Sequence, residues 1–447
     1  DQRGGVKLLT PVYVDASAPS CTSDCGTARA PYNKIQDGIA RVIPGGTVNV
    51  APGTYTEQVI ATDKDGVSII GAGEASTIIK SPATLTALVG DRKPVVGVKS
   101  SENFTIQNLT IDGDGKGNAN YRFYGLFYYN SSGTIENITA KNVRNTPLDG
   151  SQSGIAIYGY NDDSVARTIT AKNNTVYQYQ KGGLTFNGAG LTAVVSNNVA
   201  TGIGETPLIA MNGIQIGFGA TGTISGNTTS GNWYTGNPAN GVAAGILIYQ
   251  ADGVQITGNT VSTSNLGITL TDSDNGAIRG NTISNNQYNV DVTDSTGAVV
   301  ENNQITGGTV NDLWSNQVVD ASPNWWGNWY GPSAGKIDAE DATIGPWCAD
   351  IGCATFLPDA KGEIHVPAGQ TLTADILQTL IDNAPEGTKI FVPAATYTRT
   401  GGYQINKPHL TIILTDGTVI QNDSPCFVIN ASFTKIYAQP GAKCIPV

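Results

Sequence analysis

The sequence predicts an all-β solenoid, a right-handed parallel β-helix, with a short N-terminal capping helix and a second, incomplete β-helix-like module at the C-terminus. Three observations predict it. The first is a phrase repeated eight times, each copy centred on an asparagine among β-branched residues: Asn108, Asn137, Asn174, Asn198, Asn227, Asn259, Asn281 and Asn303, at spacings of 29, 37, 24, 29, 32, 22 and 22 residues. Units of that length cannot bury an apolar face alone and must stack. The second is a glycine-led strand in each repeat, such as GIAIYG at 154–159, GIQIGF at 213–218 and GILIYQ at 245–250. The third is composition: 55 glycines, one methionine and only 14% charged residues. That suits a β-solenoid better than a helical or α/β protein.

The elements follow in order. Residues 1–100 hold the strand VYVDA (12–16), a cysteine-closed loop, and a helix with Tyr32, Ile35, Ile39 and Val42 at helical spacing. A helix laid over the first coil covers an otherwise open strand edge. GGTVNVAPGTYTEQV (45–59) then enters the first coils. Residues 101–347 are the regular stack, ending in the aromatic stretch NWWGNWYGP (324–332), whose Trp325, Trp326, Trp329 and Tyr330 read as an end plug or as a binding platform. Residues 348–447 restart the plan: Ile376, Leu377, Leu380 and Ile381 form a helical face, EGTKIFVPAATYT (386–398) parallels GGTVNVAPGTYT, and no further stack is expected behind it.

Within the stack, Asn137, Asn198, Asn227, Asn259 and Asn281 are expected to point inward as a ladder, each amide bonding the coils on either side. Alternation turns Leu126, Tyr128, Ile155, Ile157, Ile214, Ile216, Ile246, Ile248, Ile268 and Leu270 inward. The residues between them form outward columns, one of Phe127, Ala156, Thr185, Gln215, Leu247, Thr269 and Asp291, the next of Tyr129, Tyr158, Asn187, Gly217, Tyr249, Thr271 and Thr293. Phe127, Tyr129, Tyr158 and Tyr249 are therefore the candidate carbohydrate-binding side chains, unless a loop such as 203–212 covers them.

A net charge of −11 offers no basic stripe for nucleic acid, and no apolar run is long enough to span a membrane. The six cysteines fall in close pairs, Cys21 with Cys25, Cys348 with Cys353 and Cys426 with Cys444, and with only two histidines, disulfides are expected rather than zinc. Disulfides imply an oxidising, extracellular setting. The start at Asp1 reads as a mature or excised product. Sequons such as Asn103-Phe-Thr belong to the repeat itself.

The quoted phrases resemble the extracellular right-handed β-helix proteins of bacteria, the pectate-lyase-like superfamily: DQRGGVKLL an opening segment, GGTVNVAPGTYTE an entry turn, NWWGNWYGP a terminating element. The resemblance covers nearly the whole chain. It implies the fold and, for function, a range from lyases, hydrolases and epimerases to adhesins and structural modules. The galacturonan-hydrolase segments GHG and RIK are absent, NDD (161–163) is the only Asp-Asp pair, and the DPHD segment of alginate-type epimerases is missing. Arg167 and Lys181 lie in the stack without a calcium-binding acidic cluster of the pectate-lyase kind.

Carboxylates gather late in the stack at Asp272, Asp274, Asp291 and Asp294. Asp272 and Asp294 share one position in successive coils, so they are the candidate catalytic pair of a retaining glycosidase, a calcium site, or simply turn residues. The expected function is a secreted or cell-surface module that is structural, adhesive or carbohydrate-contacting, with a polysaccharide or surface glycan as partner and no cofactor apart from calcium. The alternatives are a polysaccharide lyase or glycoside hydrolase, and a filament subunit in which an open C-terminal end takes up residues 1–16 of the next copy.

Overall fold

A computed structural model describes residues 10–21, 25–339 and 341–447. The chain winds as a parallel β-helix with three strand-bearing sides per coil. One side is an eleven-stranded parallel sheet running from Val59–Thr62 through Phe123–Tyr129, Gly182–Asn187 and Tyr288–Thr293 to Ile337–Ala339. The other two sides merge into one larger parallel sheet, because the strands Phe104–Asp112 and Gly133–Lys141 run continuously around the corner between them. Ile106, Ile135, Ile169, Ile224, Ile256, Ile278 and Val300 fill the interior and are wholly buried.

Both ends of the main stack are covered. The first helix, Ile35–Arg41, lies across the mouth of the first coil so closely that a side chain at Gly38 would meet Val14 and Val48 at 2.9–3.0 Å. Its first N–H groups, on Ile35 and Gln36, donate to the Glu57 carboxylate at 2.8 and 3.0 Å, a cap supplied from the next strand. Val12–Val14 is not a free strand awaiting a partner chain. It pairs with Thr47–Val50 on one side, and on the other Tyr13 exchanges hydrogen bonds with Gly26 and Tyr32. The first part of the proposed 1–16 segment, residues 1–9, lies outside the described residues.

At the far end Trp326, Trp329 and Trp347 are buried. The Trp347 indole donates to the Trp329 carbonyl at 2.9 Å, and Asn383, at the end of the second helix, donates to the Tyr330 and Pro332 carbonyls at 3.1 and 3.0 Å. The aromatic stretch is thus packed between the main stack and the C-terminal module, with Trp325 and Tyr330 half-buried at its margin. The second helix, Ala374–Asn383, buries Leu377, Leu380 and Ile381, with Ile376 half-buried. The C-terminal module goes further than entry strands. Lys389–Val392, Thr411–Leu414 and Lys435–Ala438 stack in parallel, as do Thr396–Arg399, Val419–Asn422 and Lys443–Pro446, so it forms a short stack of its own. Disulfides join Cys21 to Cys25, Cys348 to Cys353 and Cys426 to Cys444, the last reaching the strand Lys443–Pro446 of the C-terminal stack.

An asparagine ladder runs through seven successive coils at Asn174, Asn198, Asn227, Asn259, Asn281, Asn303 and Asn324, each at most 1% exposed. From Asn198 to Asn324 each side-chain oxygen accepts both the backbone N–H and the Nδ2 of the asparagine one coil earlier, at 2.8–2.9 Å. The second Nδ2 hydrogen goes to a carbonyl of the preceding coil at 2.7–3.0 Å. The residue just before each rung from Asn174 to Asn303 makes a left-handed corner, which explains the alternation of Asn173, Asn197 and Asn302 with Gly226, Gly258 and Gly280, all at φ of 54–65°.

Asn137 does not belong to this ladder. Register pairs Glu136 with Lys172 and Thr139 with Thr175, so Asn137 falls on the corner, opposite Asn173, and Ile138 takes the rung position. Asn137 is left-handed at φ 51°, half-exposed, and bonded to Asn108, its counterpart one coil earlier, at 2.9 Å. The first coils fill the rung with Leu109 and Ile138, and the Ile138 N–H donates to Asn174 where the ladder begins.

Candidate functional site

The eleven-stranded sheet presents a flat outward face whose columns are fixed by register. One column reads Phe127, Tyr158, Thr185, Gln215, Leu247, Thr269, Asp291 and Trp314, and its neighbour reads Tyr129, Tyr160, Asn187, Gly217, Tyr249, Thr271 and Thr293. Two expectations need correction. Ala156, not Gly154, is the counterpart of Gly125, so the coil at 155–160 is shifted by two: Tyr158 lies beside Phe127 and Tyr160 beside Tyr129. The same shift turns Ile155 outward beside Tyr124, half-buried in the outer aromatic cluster instead of in the core.

The upstream half of this face is covered by the chain's own loop 81–92. Leu88 lies directly on the sheet over Gly97, and the loop is held by Asn120, which bonds Leu85 and Ala83, and by Gln58, which bonds Thr86. Beneath it Tyr124, Phe127 and Tyr158 stack with ring centroids 5.0–5.2 Å apart. Phe127 is wholly buried and Tyr158 only 8% exposed, so Phe127 presents no ring to a ligand and Tyr158 only an edge, in the small cleft beside Arg92 and Asn187. Burial accordingly pushes the Tyr158 hydroxyl well above its ordinary pKa. Loop 203–212 is not the cover. Tyr129 and Tyr160 remain half-exposed at the edge of the cluster. The Tyr129 hydroxyl donates to Asp162 at 2.7 Å, which pushes its pKa up to about 12, and the Arg92 guanidinium sits 4.9 Å above the Tyr160 ring. Tyr249 is half-exposed further along and packs edge-on against Phe218, whose ring is half in solvent.

The downstream half is open and holds the largest cleft described on the molecule, about 840 Å³. Its floor is the sheet itself, with Leu266, Tyr288, Thr271, Thr293, Asp291 and Trp314. Its wall is the segment 233–242, led by Trp233 and Tyr234. Asn265 holds wall to floor: its Oδ1 accepts the Tyr234 backbone N–H at 2.7 Å while its Nδ2 donates to Gln287 at 2.9 Å. All four aromatic residues are half-buried, with part of each side chain still open to a ligand. The one ionisable carboxyl of the lining, Asp291, is nearly buried, and this desolvation raises its pKa. The Thr269 and Thr293 hydroxyls, donating at 2.7 and 3.0 Å, offset part of that rise.

Asp272 and Asp294 do lie one coil apart, but on exposed left-handed corners past the end of the strands, at φ 48° and 49°, and neither lines the cleft. Asp294 is engaged by Asn316 through its backbone N–H and carboxylate, both at 2.8 Å. Asp274 caps the next turn, accepting the Thr296 N–H and hydroxyl, which lowers its pKa. Arg167 is tied to Asp163 and Glu102 on the other sheet, and Lys181 is half-buried with its ammonium donating to the Ala210 carbonyl. Among the described residues no group of three or more Asp, Glu, His or Cys is placed to hold a metal ion.

Sequence reasoning missed Trp314, Tyr288 and the wall. The signal available was the 32-residue spacing from Asn227 to Asn259 against 22 for the next two coils, since the surplus is the segment carrying Trp233 and Tyr234.

Comparison with known proteins bears on the fold. Residues 153–320 match the family model described as "Right handed beta helix region". A search of curated protein sequences finds no match. Among solved structures the chain is similar to the enzymatically active domain of tailspike protein 2 from bacteriophage CBA120, at 12% identity and TM-score 0.50, over 74% of this chain and 52% of that one. It is also similar to the mannuronan C-5 epimerase A-module of Azotobacter vinelandii, at 15% identity and TM-score 0.45, over 92% and 93%. The GH136 lacto-N-biosidase of Eubacterium ramulus aligns at 12% identity and TM-score 0.49, over 74% and 67%. The family-model match and the likeness to the tailspike domain support the right-handed parallel β-helix fold alone.

Proposed function

We propose that this protein is an extracellular carbohydrate-binding module that holds a glycan in the cleft over Asp291. The observation that carries the reading is the cleft's composition: four partly open aromatic side chains around a floor of hydroxyls, side-chain amides and a single carboxyl. Rings of that kind stack on the apolar faces of sugars, and a few placed polar groups fix orientation. Three disulfides favour an oxidising compartment. A glycan-binding screen on the purified chain tests the reading, with Trp314→Ala and Tyr288→Ala as controls. Binding that survives both substitutions would place the ligand elsewhere.

Glycan cleavage is the competing reading, and the raised pKa of Asp291 suits a general acid. Glycoside hydrolysis ordinarily uses two carboxyls flanking the bond, and the cleft lining supplies one. Depolymerisation assays decide: cleavage lost in Asp291→Asn would replace the binding reading, and cleavage lost in Asp272→Asn with Asp294→Asn would move the chemistry to the turns. Attachment between copies through their ends, the remaining reading, predicts fibres in electron micrographs of the purified chain.

A further inference from the structure

Charge is unevenly distributed over the outward face. Arg92 stands over the aromatic cluster at the upstream end, whereas no lysine, arginine or histidine lines the cleft at the downstream end. A cation beside its rim, Lys336, is already committed, because its ammonium donates to the carbonyls of Gly308, Thr309 and Val310 at 2.6, 3.3 and 3.3 Å. Those three bonds use all the donors an ammonium has. Asp291 accepts both threonine hydroxyls through Oδ1, which leaves Oδ2 as the oxygen to meet a ligand.

We infer that the cleft takes uncharged sugar residues and rejects uronates and other acidic sugars. The inference rests on the carbohydrate reading and narrows it to a substrate class. A neutral sugar can exchange water for the amide of Gln287 and the hydroxyl and carboxyl oxygens of the floor without stranding a charge. A uronate entering the same space loses hydration beside a buried carboxyl, and no cation repairs the loss. The Arg92 end of the face lacks this bias, so the selection belongs to the cleft and not to the whole sheet.

The test is calorimetric titration of the full chain with neutral hexasaccharides of glucose, mannose and N-acetylglucosamine, and with hexauronates of galacturonate and mannuronate. Trp314→Ala assigns any binding to the cleft. At least one neutral hexasaccharide should bind in a Trp314-dependent way, with the hexauronates at least about 100-fold weaker. Thr271→Lys, which sets an ammonium on the half-exposed floor, should narrow that gap at least tenfold by strengthening uronate binding. Uronates binding as tightly as neutral sugars, with the same dependence on Trp314, would overturn the inference and leave the carbohydrate reading standing. If no glycan binds in a Trp314-dependent way, the carbohydrate reading falls and the inference with it.

Discussion

The upstream and downstream halves of the outward face are built on the same columns and both carry aromatic rings, yet they play different parts. Upstream, Phe127 and Tyr158 are sealed under the loop containing Leu88 and behave as a small outer core. Downstream, Trp314 stands in the column of Phe127 and Tyr288 in that of Tyr124, but both face an open cleft, because the insertion there stands beside the sheet as a wall. An aromatic column on a β-helix therefore says that a ring points outward. Whether it meets protein or ligand is decided by the loops, which do not repeat.

Substitutions can break or sharpen this contrast. The largest effect is expected upstream: Phe127→Ala should destabilise by about 3–5 kcal/mol, as for a core aromatic, and leave glycan binding unchanged. Denaturant titration with parallel calorimetry checks both halves of that statement. Downstream the pattern should invert. Trp314→Ala should weaken neutral-glycan binding at least about tenfold, about 1.4 kcal/mol, while unfolding midpoints barely move.

A smaller effect concerns Asp291. Its native pKa is raised by burial, so ionisation works against the folded state. That cost is present above the native pKa and disappears as pH falls below the unfolded carboxylate value. Asp291→Asn, which can still accept both threonine hydroxyls, should raise the melting temperature by about 1–2 °C at pH 7, with the gain vanishing near pH 3. Equal melting at both pH values would remove the desolvation argument. The smallest effect returns upstream to Tyr129, whose bond to Asp162 is largely exposed. Tyr129→Phe should cost below about 1 kcal/mol at pH 7. Because the native tyrosine pKa is raised to about 12, the wild-type advantage should persist below the unfolded value near 10 and fade as pH rises through 12.

Much of the architecture was readable because it repeats. Rung asparagines from Asn198 to Asn281 follow a corner residue at almost every coil, and the cysteine pairs are each other's nearest partners in the chain. The errors have local causes. Asn137 shares its neighbours with the rungs but sits one residue early, and a one-residue offset reverses a side chain's direction in a strand. Gly154 opens a strand two residues ahead of the register because the loop before it ends in a glycine of its own. The cleft depends on Trp233, Tyr234 and Trp314, separated by some 80 residues and joined by stacking that no local pattern records.

The asparagine ladder has a consequence for how such a protein changes size. Each rung repeats the same bonds in the same direction, so coils are interchangeable units of length. Deleting residues 260–281 would seat Asn259 against Asn303 and close the ladder again, bringing Tyr288 and Trp314 one step of about 4.8 Å nearer Tyr249 while removing Asn265, Leu266 and Thr271 from the cleft. Loops at the corners add width without altering that step. The stack is in this sense a ruler, and the distance between any two features on its face is counted in whole coils.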